Sequence, residues 1–476
     1  MDKKKKNAKL FLVLLIILFA AGFFLRLFPL RVFNNGDETV YLQHAEIFFS
    51  GRDNFSELDF RPPFLSIIIF LCYFIWHHVF MAEILVAFIG ALGIIFMFLL
   101  GKLIYDEKTA LIGSCLYAFL PYLVKQSHFI LTDVPSLVFF MASIYFLLMG
   151  FSKSKSVYFF LSGVLFGISF LTRFSILFLS VVYLPYFIIY KSNFKKFIFL
   201  ALGSALVSFP YFLWAQLSSG FFLTPLLNYR LVENVFGTRR PSSFHIVNMN
   251  EIIPFFILLF FLLGTFFSFK EHKSRLIRNH GLVTLMLWVF VFFIFLSLLP
   301  AKEIRYLIPL AVPILLISAK GILEFYKKIY GSKYFVPFLI VIFMLVIYFL
   351  YSFRASLFIK QLQLSITQTQ GFVLNNSFET IEIAYYIKEH IPQDYVVYTD
   401  AKLPVLSYYT NMKILYPPRI DFPGHMKKSY FIHYLKEDWA GDETLLSQSH
   451  KFKLIKIFNN ARIYEYTPCE VFRNDE

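Results

Sequence analysis

Residues 3–38 read KKKKNAKLFLVLLIILFAAGFFLRLFPLRVFNNGDE, and their reading settles what kind of chain this is. Four lysines precede an apolar run from Leu10 to about Leu30, and two adjacent carboxylates, Asp37 and Glu38, follow it. A helix of about 20 apolar residues spans the roughly 30 Å hydrocarbon core of a bilayer. The run is too long for the apolar part of a secretory signal and has no small-x-small cleavage site. It is therefore expected to stay in place as a first membrane helix.

The same pattern recurs along the chain. Of its 476 residues 58% are hydrophobic, above the 45–50% of soluble domains, and Phe alone supplies 64. Apolar runs at 10–30, 79–101, 109–122, 133–150, 157–172, 174–190, 197–214, 252–269, 281–299, 306–320 and 335–352 predict about 11 spans. The expected fold is an all-α polytopic membrane domain over 1–352, with a small α/β domain over 353–476.

Charge orients the spans. The loops on the N-terminal side carry 20 Lys and Arg against five acidic residues, whereas the opposite loop 31–78 carries three basic and six acidic ones. Basic loops face the cytoplasm, so the N-terminus is expected there and the C-terminal domain outside. Residues 63–76 are apolar, but a crossing there would turn every later basic loop outward. They are read as a juxtamembrane or re-entrant helix. The net charge of +15 follows from the same loops, and no basic stripe with interleaved aromatics speaks for nucleic acid. Cys72, Cys115 and Cys469 are too few and scattered for a disulfide framework or a thiolate metal site.

After residue 353 ordinary polar content returns. Ser377–His390 has helical periodicity, and Tyr395–Thr399, Phe452–Phe458 and Ala461–Tyr466 read as strands. Asn459-Asn460 reads as the turn between the last two.

Chemistry-bearing residues gather in the outer loops. Asp37 and Glu38 follow the first span; Asp37 is also placed to cap a helix from Glu38 to Ser50. Asp133, in His128-Phe129-Ile130-Leu131-Thr132-Asp133-Val134-Pro135, is a second carboxylate on the same face, and Thr132 or Asp133 is placed to cap the next helix. Arg61, Arg239, Arg240, Lys302 and Arg305 lie on the side where cations are disfavoured. Lys302 and Arg305, three apart, are expected to share a helix face. Such cations either reach for headgroups or bind an anion, and phosphate suits Arg. Tyr41, His128 and Tyr306 stand beside these groups.

Taken in order, Asp37-Glu38 with Tyr41, Arg61-Pro62-Pro63, Thr132-Asp133-x-Pro135, Leu171-Thr172-Arg173 and Arg305-Tyr306-Leu307-x-Pro309 resemble the GT-C superfamily of integral-membrane glycosyltransferases. The likeness is to the branch of protein O-mannosyltransferases and lipid A aminoarabinose transferases, and it covers residues 1 to about 320. It implies transfer of a sugar from a polyprenyl-phosphate donor to a protein, lipid or glycan hydroxyl at the outer face of the bilayer, with inversion. By that resemblance Asp37 is the candidate base, with Glu38 and Asp133 as further catalytic candidates. Arg61 stands where the aminoarabinose branch usually has Lys before Pro-Pro, and with Lys302, Arg305, Arg239 and Arg240 it is a candidate for the donor phosphate. Tyr41, His128 and Tyr306 are candidate acceptor or sugar contacts. This reading asks for no cofactor or metal, although a divalent cation is compatible with it. The competing class is a transporter, which would set ionisable residues near the midplane on broken helices. Here Arg26 and Glu83 are the main charges within spans.

Overall fold

The computed structural model of the chain describes residues 3–28, 36–50, 61–183, 194–228, 240–272, 280–299, 302–330, 375–392, 395–399, 406, 409–410, 412, 414–415, 429–434, 452–458 and 461–466. The chain divides into two compact units, one of Met1–Leu30 with His44–Tyr351 and one of Arg31–Gln43 with Ser352–Glu476.

The first unit is helical. Its elements are α1 (Lys3–Leu27), α2 (Gly36–Ser50, whose first turns belong to the second unit), α3 (Phe64–Tyr73), α4 (Val79–Ile104), α5 (Glu107–Phe119), α6 (Pro121–Gln126), α7 (Asp133–Lys153) and α8 (Ser156–Thr172). After the 3-10 helix Phe174–Tyr183 come α9 (Phe194–Ser219), α10 (Phe244–Val247), α11 (Met249–Ile252), α12 (Phe255–His272) and α13 (His280–Leu298). The 3-10 helix Ile304–Leu310 then leads into α14 (Ala311–Tyr330). Six helices among the described residues are long and apolar enough to cross a membrane, or seven if the pair Phe244–Ile252 and Phe255–Glu271, bent by 102°, is one span. The eleven expected runs are thus not eleven full-length helices. The 109–122 run ends early as α5, 157–172 is the short α8, 174–190 begins as a 3-10 helix, and 335–352 lies outside the described residues. At ten residues α3 rises only about 15 Å, half of what a crossing needs.

Glycines set the closest helix crossings, as small residues do where lipid removes the hydrophobic drive between helices. A Cβ at Gly163 of α8 would lie 1.9 Å from the Leu200 carbonyl oxygen of α9, and one at Gly264 of α12 would lie 1.9 Å from that of Ile317 in α14. The stretch Ile304–Ile329 is the most enclosed span, with 94% of its apolar window buried.

One charge lies deep in this unit. Pro121 cannot continue α5, so the helix stops at Phe119 and leaves its last carbonyls without intrahelical donors. Arg26 of α1, 1% exposed, supplies them: Nη1 donates to the carbonyls of Ala118 at 2.9 Å and Gly22 at 3.0 Å, and Nη2 to that of Tyr117 at 3.1 Å. Its guanidinium also lies over the Tyr117 ring at 5.5 Å.

The second unit holds α15 (Asn375–His390) and a five-stranded sheet of order β2-β1-β3-β5-β4, with β1 Val396–Thr399, β2 Ile414–Leu415, β3 Ser429–Tyr434, β4 Phe452–Ile457 and β5 Ala461–Tyr466. β1 pairs in parallel with β2 and β3, and β5 pairs antiparallel with β3 and β4. Alternation along the strands turns Val397, Ile432 and Ile463 toward Ile383, Ala384 and Ile387 of α15, and collects Tyr398, Phe431 and Tyr464 in a separate cluster. The expected helix and three strands are present; β2 and β3 are additional. The expected Asn459-Asn460 turn lies outside the described residues.

Candidate active site

The site in the first unit is built where α7 begins and α8 ends. Thr132 occupies the cap position of α7, yet no side chain caps the helix there. Both Thr132 and Asp133 turn instead to Arg173, the residue that closes α8. Arg173 Nη1 meets Asp133 Oδ1 at 3.0 Å and donates to Thr132 Oγ1 at 3.4 Å, while its Nε donates to Ser175 Oγ at 3.1 Å. The guanidinium lies 5.4 Å from the centre of the Tyr306 ring. Serines tie the two helices together beneath the pair: Ser169 Oγ donates to the Ser136 carbonyl at 2.6 Å, and Ser136 Oγ to that of Asp133 at 3.0 Å. A cation at a helix C-terminus and an anion at a helix N-terminus each lie in a favourable dipole field. The Asp133 side chain is only 4% exposed, and its Oδ2 is buried without a hydrogen-bond partner among the described residues. One oxygen is held and the other is not.

The segment before α14 forms the rest of the cluster. Glu303 is extended and takes the guanidinium of Arg305, Nε to Oε2 at 2.5 Å and Nη2 to Oε1 at 3.2 Å. Lys302 is buried and its Nζ donates to the Leu299 carbonyl just after α13. This corrects the expectation that Lys302 and Arg305 share a helix face. The 3-10 helix starts only at Ile304, so Lys302 precedes it and points back to the end of the previous helix. His245 Nε2 lies 3.2 Å from the Glu303 carbonyl. A carbonyl only accepts, so Nε2 donates the proton of this contact. Tyr122 of α6 lies near Gln126 and within the fields of Asp133, Arg305 and Glu251.

The other candidates are placed as follows. Asp37 and Glu38 lie in the first turn of α2, which starts at Gly36, two residues earlier than the cap reading of Asp37 required. Asp37 is half-buried, while Glu38 and Tyr41 are buried, and all three belong to the second unit. Arg61 is half-buried in the turn before α3, and His128 is half-buried between α6 and α7. Arg240 is exposed and lies 4.5 Å from the centre of the Phe244 ring. Arg239 lies outside the described residues. The structure therefore joins Asp133 to Tyr306 through Arg173, which was not among the site candidates. The signal was present, because Arg173 is one more cation on the disfavoured side.

At the opposite end of the bundle some of the lysines are paired with acidic residues. Lys320 Nζ meets Glu271 at 2.8 Å and Glu324 at 3.2 Å, and Lys102 meets Glu107 at 2.7 Å. Among the described residues no three His, Cys, Asp or Glu side chains converge as a metal site would require.

The described part of the first unit is thus a body of membrane-length helices with a buried carboxylate–cation pair at one end. Residues 60–214, about a third of the chain, match the family described as dolichyl-phosphate-mannose-protein mannosyltransferase. That stretch includes Arg61, Asp133 and Arg173. Among solved structures, ArnT from Cupriavidus metallidurans bound to undecaprenyl phosphate aligns at a TM-score of 0.65 and 12% identity, over 96% of this chain and 98% of that one. The Archaeoglobus fulgidus oligosaccharyltransferase in its apo form aligns at 0.59 and 14%, over 98% and 75%. The oligosaccharyltransferase AglB of the same organism, in complex with an inhibitory peptide and a dolichol-phosphate, aligns at 0.58 and 14%, over 99% and 76%. No curated protein matches the sequence at a significant level. The likeness read from the sequence motifs stands at the level of fold: the chain has a GT-C fold like that of ArnT and AglB, and its residues 60–214 match the mannosyltransferase family.

Proposed function

We propose that this protein transfers a sugar from a polyprenyl-phosphate carrier to a hydroxyl of a protein, lipid or glycan at the outer face of the membrane. One observation carries the reading. Within the stretch that matches the mannosyltransferase family, Arg173 holds one oxygen of the buried Asp133 carboxylate and leaves the other without a hydrogen-bond partner among the described residues. Carrier phosphates are bound by the structural relatives ArnT and AglB, which supports the same class of donor here. The described basic residues Lys102, Lys153, Lys155, Lys327 and Lys328 lie at the end away from Asp133, which by the basic-loop rule is the cytoplasmic one.

In the proposed reaction the acceptor oxygen bonds to the anomeric carbon as the bond from that carbon to the phosphate oxygen breaks. The electron pair leaves with the carrier phosphate, and the acceptor proton passes to a carboxylate. Asp37 is the proposed base, contributing on the order of 10²–10⁴-fold, with Asp133 orienting the acceptor through Oδ2. Arg61 and Arg305 are the proposed partners of the leaving phosphate, where fixed cations stabilise developing charge. Attack opposite the leaving group inverts the anomeric centre. The test supplies the purified protein in lipid nanodiscs with radiolabelled undecaprenyl-phosphate sugars and a membrane extract as acceptor. Transfer of label out of the carrier is expected; retention of every sugar tried on its carrier rejects the reading.

A further inference from the structure

The Glu303 carboxylate lies against the Arg305 guanidinium on two of its nitrogens, at 2.5 Å and 3.2 Å. It stands on the edge of the guanidinium that two phosphate oxygens would take, with Nη2 donating a hydrogen bond to it. The two side chains differ in freedom. Arg305 is 24% exposed, whereas Glu303 is 45% exposed and caps no helix. The Glu303 backbone is pinned by the hydrogen bond from His245 to its carbonyl, so the carboxylate can rotate into water while the main chain and Arg305 stay in place.

We propose that Glu303 is a displaceable latch on Arg305. It holds the guanidinium in the empty enzyme, yields it to the phosphate of the polyprenyl carrier, and returns to help expel the spent carrier. The latch rests on the glycosyl-transfer reading above. An ion pair as exposed as this one shifts an equilibrium by at most about fivefold. A charge-assisted fork on phosphate is stronger, so displacement runs in the right direction. The spent carrier is a phosphate monoester, with about −1.5 to −2 charges at neutral pH, and binds cations more tightly than the donor diester. Release is therefore the step at which a competing carboxylate matters most.

The test measures undecaprenyl phosphate binding to the full-length protein in phosphatidylcholine nanodiscs, with phosphatidylglycerol as the bilayer-headgroup control. Wild type, Glu303→Gln, Glu303→Asp, Arg305→Gln and the Glu303→Gln/Arg305→Gln pair are compared after thermal melts establish that each is folded. Glu303→Gln is expected to lower the Kd for undecaprenyl phosphate about three- to fivefold, and Glu303→Asp by less. The gain should vanish in the Arg305→Gln background and be absent for phosphatidylglycerol. A Glu303→Gln protein that binds no tighter, a gain that survives without Arg305, or an equal gain for phosphatidylglycerol overturns the latch and leaves the transferase reading intact. Wild type that does not bind undecaprenyl phosphate removes both.

Discussion

Replacing Arg173 by Ala strands Asp133. The carboxylate is 4% exposed and Arg173 14% exposed, so water does little to screen either partner. Breaking a buried pair from one side costs about 3–5 kcal/mol, because the remaining charge has no partner. The reverse change, Asp133→Asn, is milder. Arg173 keeps the Thr132 and Ser175 hydroxyls and the Tyr306 ring, so the loss is nearer the 1–3 kcal/mol of an unsatisfied buried group. Adding Asp133→Asn to Arg173→Ala removes the stranded charge, and the double variant should be more stable than Arg173→Ala alone. The expected coupling is about 1.5–3 kcal/mol. Unfolding of the four proteins in mixed SDS and dodecylmaltoside micelles, followed by circular dichroism, measures the cycle. If Arg173→Ala lies within about 1 kcal/mol of wild type, or the double variant is merely additive, the pair behaves as a surface contact. The argument for a built site then fails.

Three further outcomes are expected. Asp37→Asn should leave folding and carrier binding near wild type while turnover falls by at least about 10²-fold, as for a lost general base; normal turnover returns Asp37 to a helix-terminus role, and a collapse confined to Asp133→Asn moves the base there. A cysteine at position 155 should be protected from an impermeant thiol reagent in intact cells and one at 453 should be labelled; the opposite pattern places the proposed site in the cytoplasm. Gly264→Val should force α12 and α14 apart, since even a Cβ meets the Ile317 carbonyl at 1.9 Å, and should lower the melting temperature, whereas Gly220→Ala, with nothing within 4 Å but a φ of 73°, should cost only the modest strain of that backbone conformation. Equal effects would mean that the crossing is not close-packed.

Much of the helical body is legible in the sequence because lipid leaves the backbone no alternative to internal hydrogen bonding. What escapes is the geometry inside an apolar run. Phe174–Tyr183 is as hydrophobic as its neighbours, so composition alone does not separate a 3-10 turn from a full span. β3 was visible as Tyr430-Phe431-Ile432-His433-Tyr434, rich in strand formers, but its parallel partner β1 lies some 30 residues away and no local turn announces the pairing. In the site the carboxylates and cations were found by type and by membrane side, while their partnerships were not. Periodicity placed Lys302 beside Arg305, but an extended Glu303 separates them.

Arg26 shows how far such partnerships can reach. With Glu83 it was one of the main charges within the expected spans, and an ionisable residue in a membrane span ordinarily suggests a substrate or ion path. Its three hydrogen bonds argue otherwise. Two of the acceptors are 91 and 92 residues away in sequence, and they are the carbonyls left bare where Pro121 ends α5. In a bilayer those carbonyls cannot turn to water, so the break requires a donor at that place. The break also gives the chain its turn into α6 and on to Thr132-Asp133. The buried cation is thus accounted for by backbone that must stop early to deliver Asp133 to Arg173. A charge that a transporter would use for its substrate path supports a built site at the helix ends instead.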